Sequence, residues 1–440
     1  MIEDEITKEI TPPTNTSGFQ PMGAEDVIRT LDPTIKQDNT NKLLTLLGMI
    51  NAYTEENQMN IAFIAPSSTG KSHIPLEVSL LFPSEDLIKL GNASPTAFFH
   101  ERGVYDKETN TIKVDLERKI VIFLDQPNTG LLEKIRALLS HDDKEIASKI
   151  TDKSEKHGMR TKTIVMRGFS TFVFCTAGLR TDEQESTRFL LLSPEITQEK
   201  IREAVLQKIK KSSNSLAFSR KLNANPERQL LMQRIRAIKE AHVYDIKIQN
   251  EKLVEDMFFS KNTKPKPRDQ RDIAKIINII KSFALLNLWF RDRDGLSIVA
   301  NDDDIKNGFA IWDSLSESQS LSLPPYVHNI YKDVIVPEYK RKNPDNALVK
   351  AGLSRGDLMS AHYKYYNRTL SSWDLRGIVA LLETAGLIFQ ESDAADKRRT
   401  LIYPTFSREE QNNSEVRGGE TDAEKALNEL FPDSLDLDSI

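Results

Sequence analysis

The 440-residue sequence has a single cysteine, Cys175. That excludes a disulfide framework and a zinc site built from a cysteine cluster, and it fits a reducing interior such as the cytoplasm. Seven histidines show neither H-x3-H nor HExxH spacing, so no histidine zinc site is expected. No apolar run approaches the ~20 residues of a membrane span, and no membrane association is expected. The opening stretch, MIEDEITKEITPPTNT, lacks a basic n-region and an apolar h-region, so no secretory signal is predicted. Serines, histidines and aspartates are scattered without a nucleophile elbow. No internal repeat of about 20–50 residues is visible.

What is present is an ordinary globular mixture, 39% hydrophobic and 28% charged. At roughly 100–200 residues per domain the length predicts about two to four domains. The net charge of -5 is uneven, because residues 407–440 carry -7 and leave +2 on residues 1–406. Basic surfaces must therefore be sought segment by segment.

Residues 1–22 mix prolines, threonines and acids without periodicity and read as a flexible arm. Helical spacing begins near Ala24 and runs through Leu43, Leu44, Leu46 and Leu47. Three apolar runs follow: NIAFIA at 60–65, KIVIFLD at 119–125 and STFVFCT at 170–176. Such runs suit buried parallel strands with helices on both faces, and more than 40 residues between them leaves room for crossovers. Residues 195–260 read as helical and charged, Arg271 to Phe290 as an apolar helix, and 302–316 as another. Pro324-Pro325 and Asn343-Pro344 read as hinges. The expected organisation is an arm at 1–22, an α/β core at 23–260, a helical lid at 261–320, a linker at 321–344, a small unit at 345–406 and an acidic disordered tail at 407–440.

The first apolar run leads into Ala65-Pro66-Ser67-Ser68-Thr69-Gly70-Lys71-Ser72-His73. Strand, then G-x-x-x-x-G-K-[ST], then helix is a phosphate-binding loop, whose backbone N–H groups close around phosphate oxygens. Gly70, Lys71 and Ser72 match; Ala65 stands in the first glycine's place, where a Cβ restricts the turn. Lys71 would reach the β- and γ-phosphates, and the Ser72 hydroxyl would coordinate Mg²⁺. Asp125 ends the second run, as a metal-supporting carboxylate does at a strand tip. The next residue is Gln126, which can position water but cannot take its proton. Glu101 and Glu133 are candidates for that proton. Bound ATP and Mg²⁺ are the cofactors this chemistry implies.

In order and spacing, the phosphate loop, IVIFLDQP, STFVFCTAG and ESTRFLLLSPE resemble an AAA+ ATPase core. The pattern is most similar to the helicase branch that holds minichromosome-maintenance (MCM) proteins and replication proteins of mobile elements. The resemblance spans roughly residues 30–315. It implies an AAA+ parallel-sheet core with a helical lid, a homo-oligomeric ring, expected as a hexamer, and movement on DNA. With only about 60 residues before the first strand, it implies a replicative helicase of a virus, plasmid or integrated element. Thr176 stands at the sensor-1 position. Arg188 stands where the family places an arginine finger on a neighbour's ATP, with Arg180 as rival. PRDQRDIAKIINIIKSFALLN resembles the sensor-2 helix, which makes Arg268 or Arg271 the γ-phosphate contact.

Before the third run, Ile150–Lys153 and Thr163–Met166 read as two strands around a basic tip. In the resembling helicases such a hairpin grips DNA in the pore, and Lys153, Lys156, His157, Arg160 and Lys162 would supply the contacts. Residues 345–406 read as helix, helix, β-hairpin, which looks like a winged helix. Ser354 and Ser371 are N-caps, and Gly386 ends the second helix. Ser371, Ser372, Arg376, Lys397, Arg398 and Arg399 would touch DNA; Arg398 and Arg399 could equally pair with Asp393 and Asp396. Tyr363, Tyr365, Tyr366 and Trp373 read as core of that unit. The tail, ending LNELFPDSLDLDSI, reads as solubilising, with a groove on a replication or element-encoded partner as its second use.

Overall fold

The computed structural model describes residues 14–91, 103–106, 108–109, 111–125, 129–140, 143–152, 160–177, 187–344 and 350–406. Strands in the first half of the chain are β1 (Ile61–Ile64), β2 (Leu87–Leu90), β3 (Val104–Asp106), β4 (Thr111–Asp115), β5 (Ile120–Phe123), β6 (Glu145–Asp152), β7 (Arg160–Arg167), β8 (Thr171–Thr176) and β9 (Leu190–Leu192). The three expected apolar runs, β1, β5 and β8, lie side by side in a parallel five-stranded sheet of order β2-β5-β8-β1-β9, whose outer strands β2 and β9 were not expected. The chain is thus an α/β protein, as the runs implied.

Each run is apolar throughout because both faces of the sheet are covered. Ile61, Phe63, Ile120, Ile122, Val173, Cys175, Leu190 and Leu192 face a core shared with helices Asn39–Ile50 and Asp269–Leu286. The alternate residues Ala62, Ile64, Val121, Phe123, Phe172, Phe174 and Leu191 face helix Thr129–Ser140 and a second sheet.

That second sheet has the order β3-β4-β7-β6. β6 and β7 form the expected hairpin, longer than its sequence signal, with Glu145 opposite Arg167 and Asp152 opposite Arg160. β4 joins it parallel to β7, and β3 pairs antiparallel to β4. Neither β3 nor β4 was expected. The only trace was a short alternation in which Ile112 and Val114 are buried and Lys113 and Asp115 exposed. Gly168 links this sheet to β8 at φ +91, where an added Cβ would lie 2.5 Å from the Glu117 nitrogen. Only glycine fits there.

The stretch 195–260 is not wholly helical. Helices Gln198–Ser213, Ser215–Asn223, Pro226–Ala241 and Glu251–Lys261 are interrupted by β10 (Asp245–Ile248). β10 pairs parallel to β12 (Ser297–Ala300), which pairs antiparallel to β11 (Arg293–Asp294). The expected arm at 1–22 does not hold for its last residues. Residues 1–13 lie outside the described residues, but Phe19 is 4% exposed and packs on Trp289, with ring centroids 4.5 Å apart. The fully buried Arg234 lies over both rings and donates to the carbonyls of Leu286 and Gln20. Burial pulls its guanidinium down to about 10, still charged at neutral pH. Asn287 fastens Met22 by two reciprocal bonds, of 2.8 and 2.9 Å.

The chain divides into two compact units at Tyr326 and Val327. In place of the expected linker are helices Pro325–Ile330 and Val336–Lys342, joined by a π-helical turn. The prolines expected as hinges instead bound helical structure: Pro325 opens one helix, and Pro344 follows the end of the other. In the second unit, helices Arg355–Tyr366 and Ser372–Thr384 precede the hairpin of β13 (Ile388–Ser392) and β14 (Thr400–Pro404). Leu353 adds a short bridge to Ile402. Ser354 forms a capping box with Asp357, Ser371 caps Asp374, and Gly386 follows the second helix at φ +73. The expected helix, helix, hairpin order is therefore present. The aromatic expectation was wrong for three of four residues: Tyr366 is buried, but Tyr363, Tyr365 and Trp373 are 53%, 54% and 65% exposed. Helix Arg355–Tyr366 turns Tyr363 and Tyr365 outward and Tyr366 to the packed side, and Trp373 stands exposed in the first turn of the next helix.

Candidate nucleotide site

All five strands of the central sheet are parallel, so their C-terminal ends share one edge, where ligands of open α/β sheets bind. β1 leads directly into the loop 65–72. Ala65 is fully buried; its φ is not positive, and its N–H donates to the Thr176 carbonyl at 3.3 Å. Ala65 therefore extends the strand, and its Cβ does not restrict the turn. The loop reverses later, at Ser68 (φ +65) and Gly70 (φ +96). Among the described residues, no atom lies within 4 Å of where a Gly70 Cβ would be, so space is open beside the loop. The Thr69 hydroxyl donates to the Pro66 carbonyl at 2.9 Å and holds the curl. Lys71 and Ser72 are half-buried. The open loop, its ammonium and its hydroxyl fit a nucleotide's phosphates and their Mg²⁺.

Helix His73–Ser79 follows, seven residues long, with Pro75 in its first turn, where a missing N–H costs nothing. His73 is engaged within the fold: its N–H donates to Gly70 at 3.0 Å, and Nε2 lies 3.0 Å from the Thr34 carbonyl. Cys175 lies beneath the loop, its Sγ–H donating to the Lys71 carbonyl at 3.6 Å. Burial pushes this thiol up to about 12, against weaker opposing pulls from the Ser72 hydroxyl and the Lys71 charge.

Thr176 ends β8, the neighbour of β1, and Asp125 follows β5, the next strand out. At about 4.8 Å per strand, Asp125 stands roughly 10 Å from β1, with Thr176 between. Lys71, Ser72, Thr176 and Asp125 thus belong to one edge. Glu133 is exposed on helix Thr129–Ser140, whose first turn starts at this edge. Gln126, Glu101 and Arg180 lie outside the described residues.

Arg188 and Arg271 belong to the opposite edge. Arg188 precedes β9, whose Leu190 N–H donates to Asn60, the residue before β1. Four residues of strand, about 13 Å at 3.3 Å each, separate this edge from the phosphate loop. Arg188 Nε donates to Ser140 Oγ, and Arg271 to Thr187 Oγ1. Both arginines line a cavity of about 270 Å³ together with Lys275. Arg268 is held apart: its Nε donates to Asp272 at 3.1 Å and another of its nitrogens to Ser322. Asp272 is 4% exposed, so Arg268 is tied into a buried pair.

Of the expected DNA contacts, Lys153, Lys156 and His157 lie outside the described residues. Arg160 opens β7 opposite Asp152, and Lys162 lies opposite Ile150. In the second unit, Ser371 is spent on the Asp374 cap, Ser372 opens the helix and Arg376 is exposed. Lys397, Arg398 and Arg399 are exposed between β13 and β14. Arg398 and Arg399 lie 4.0 and 3.5 Å from Asp396, at side-chain exposures of 96% and 72%. Pairs this open hold little, so the arginines remain available to a ligand.

No protein-family model matches the sequence, and no curated protein matches it. Among solved structures, the chain is similar to a full-length MCM homolog from Methanopyrus kandleri, at 9% identity and a TM-score of 0.41. The match covers 67% of this chain and 59% of that one. Among the described residues, no helix is long and apolar enough to cross a membrane.

Proposed function

We propose that the chain is an AAA+ ATPase that acts on DNA, with its nucleotide site completed by a second copy of itself. The observation that carries this is the separation of the two sets of groups. The phosphate loop, Asp125 and Thr176 stand at the strand tips, and Arg188 and Arg271 stand at the strand starts. An arginine about 13 Å of strand away on the far edge does not reach its own chain's phosphate. It reaches one only when a second copy presents its strand tips, and repetition of that head-to-tail contact closes into a ring.

In this reading ATP·Mg²⁺ supplies the phosphoryl group and its charge neutralisation. Lys71 holds phosphate, Ser72 and Asp125 hold the metal, and the Thr176 hydroxyl orients the γ-phosphate or water. Arg188 and Arg271 of the next copy face the charge that develops on transfer. Arg271 takes this role over Arg268, because Arg268 is committed to Asp272 and Ser322. The helix, helix, hairpin unit acts as a winged helix. Arg376 and Lys397–Arg399 meet phosphates, and exposed Trp373 offers a face to bases. The β6–β7 hairpin is the second DNA contact. A replicative helicase of a virus, plasmid or integrated element is the activity proposed. Gln126, in place of an acid, favours the second reading, an ATP-switched initiator or loader that binds DNA without unwinding it.

The test mixes two inactive chains. Lys71→Ala lacks a working loop but keeps the arginine edge; Arg188→Ala lacks the edge but keeps the loop. Mixed assemblies should regain ATP turnover that neither has alone. If mixing restores nothing, the shared site is wrong. Strand displacement by the wild type then separates the helicase from the switch.

A further inference from the structure

The cavity at the arginine edge holds a third cation, Lys275. It lies one helical turn beyond Arg271 on helix Asp269–Leu286, on the same face. It is 8% exposed and lines the cavity with Arg188 and Arg271. Among the described residues its Nζ has no hydrogen-bond acceptor, and its ion pair to Asp272 is long, at 3.6 Å. No aspartate or glutamate is among the described residues that line the cavity. A buried ammonium held only by so long a contact to Asp272 is incompletely satisfied, which is costly. Three cations around about 270 Å³ with no carboxylate on the described wall make a receptacle for an anion.

We propose that Lys275 is a third phosphate-facing cation of this cavity, which with Arg188 and Arg271 receives the terminal phosphate of a nucleotide held by a second copy of the chain. The proposal rests on the shared-site reading above and extends it to a residue that no motif marks. The competing role for Lys275 is a core lysine paired to Asp272, and in that case an apolar substitute of similar length is neutral or stabilising.

The electrostatics supply a readout. Burial lowers the Lys275 ammonium to about 8; Asp272 opposes that shift, while Arg268 and Arg271 add to it. Those three groups face it from its own helix, and Arg188 faces it across the cavity; Gln58, Asn60 and Ser140 on the other walls carry no charge. Below about pH 8 Lys275 is charged and able to hold phosphate, and above it the ammonium is lost. An arriving phosphate draws the value back up.

The experiment uses the mixed assemblies of Lys71→Ala and Arg188→Ala chains, read by ATP turnover. If this pair regains no turnover, the shared site fails and this proposal with it. If it does, Lys275→Met is placed in one chain and then the other. At least a tenfold fall is expected when it sits in the Lys71→Ala chain, which supplies the arginine edge, and a far smaller fall in the other. Equal falls in both placements, or none, overturn the proposal while leaving the shared site standing. Should Lys275→Met fail to fold, the pH profile decides. Turnover at ATP well below saturation, which reports the phosphate-free cavity, should decline as pH rises through about 8 with lysine in the edge chain and stay flat with Lys275→Arg there; parallel profiles overturn it.

Discussion

The two edges of the central sheet are built differently. At the strand tips, a contiguous nine-residue stretch, 65–73, makes most of the site, with Asp125 and Thr176 from neighbouring strand ends. At the strand starts, the cavity draws on four separate stretches, around residues 58–60, 139–140, 187–190 and 271–278. The first edge takes its conformation from local rules: positive φ at Ser68 and Gly70, and a hydroxyl bond within the curl. The second exists only once helix Asp269–Leu286 has packed on the sheet. One sheet therefore carries a local motif at one end and an assembled cation pocket at the other. In the proposed function neither edge alone completes the site.

Arg188→Ala gives the sharpest break between the edges. It should leave ATP affinity within about threefold and cut turnover by about 10³-fold, the low end of what a trans-acting arginine supplies. Turnover beside a direct nucleotide-binding titration checks it, and normal turnover would move the finger to Arg180.

Next comes the contrast within the lid. Arg271→Ala should lower turnover by about 10²-fold with little change in thermal stability, because its side chain reaches into the cavity. Arg268→Ala should instead destabilise the fold by about 3–5 kcal/mol, by leaving the buried Asp272 carboxylate without its arginine. Thermal unfolding and turnover of both variants decide; a reversed pattern would exchange the roles.

The second unit carries neither edge and calibrates the comparison. Trp373→Ala should weaken single-stranded DNA binding by about 1–3 kcal/mol if the exposed indole stacks on bases. Arg398→Ala with Arg399→Ala should flatten the log–log salt dependence by about 0.7–0.9 for each phosphate left without its arginine. Neither change should alter ATP turnover without DNA. A salt titration that superimposes on the wild type would leave the hairpin without a DNA role.

The smallest effect concerns Cys175 under the phosphate loop. Its folded-state value is raised to about 12, above an unfolded value of ~8.5. The stability it contributes is full below pH ~8.5 and is lost as pH rises from there towards 12. Cys175→Ala should unfold with a shallower alkaline decline than the wild type, and alkylation of the wild-type thiol at about pH 8 should require unfolding. Rapid alkylation of the folded chain would show the loop to be open at its base.

The outcomes sort by how local each feature is. TGKS after NIAFIA was legible because strand, turn and helix lie within about twenty consecutive residues. The capped helices of the second unit were legible for the same reason: Ser354 with Asp357, Ser371 with Asp374 and Gly386 are short-range signals. Strands β4 and β10 were missed because each is short and gains its stability from a distant partner, and three-residue β3 pairs only with β4. β4 pairs with residues about 50 positions away, and β10 likewise. Phe19 sat in a polar, unperiodic stretch, and nothing nearby in the chain announces that Arg234 and Trp289 wait for it.

By itself the sequence determined the parallel α/β character, because runs such as IVIF and TFVFCT are apolar at nearly every position and so must be covered on both faces. It also determined the strand, turn and helix around Thr69-Gly70-Lys71-Ser72, because that order is written in consecutive residues. The tertiary structure alone decided that the arginines stand on the far edge from that loop, and that Arg271 and Lys275 share a cavity while Arg268 is bound to Asp272. The physical reason is that a charge's position along the chain says what it can bind, whereas its burial and its neighbours across the sheet settle which charge it meets.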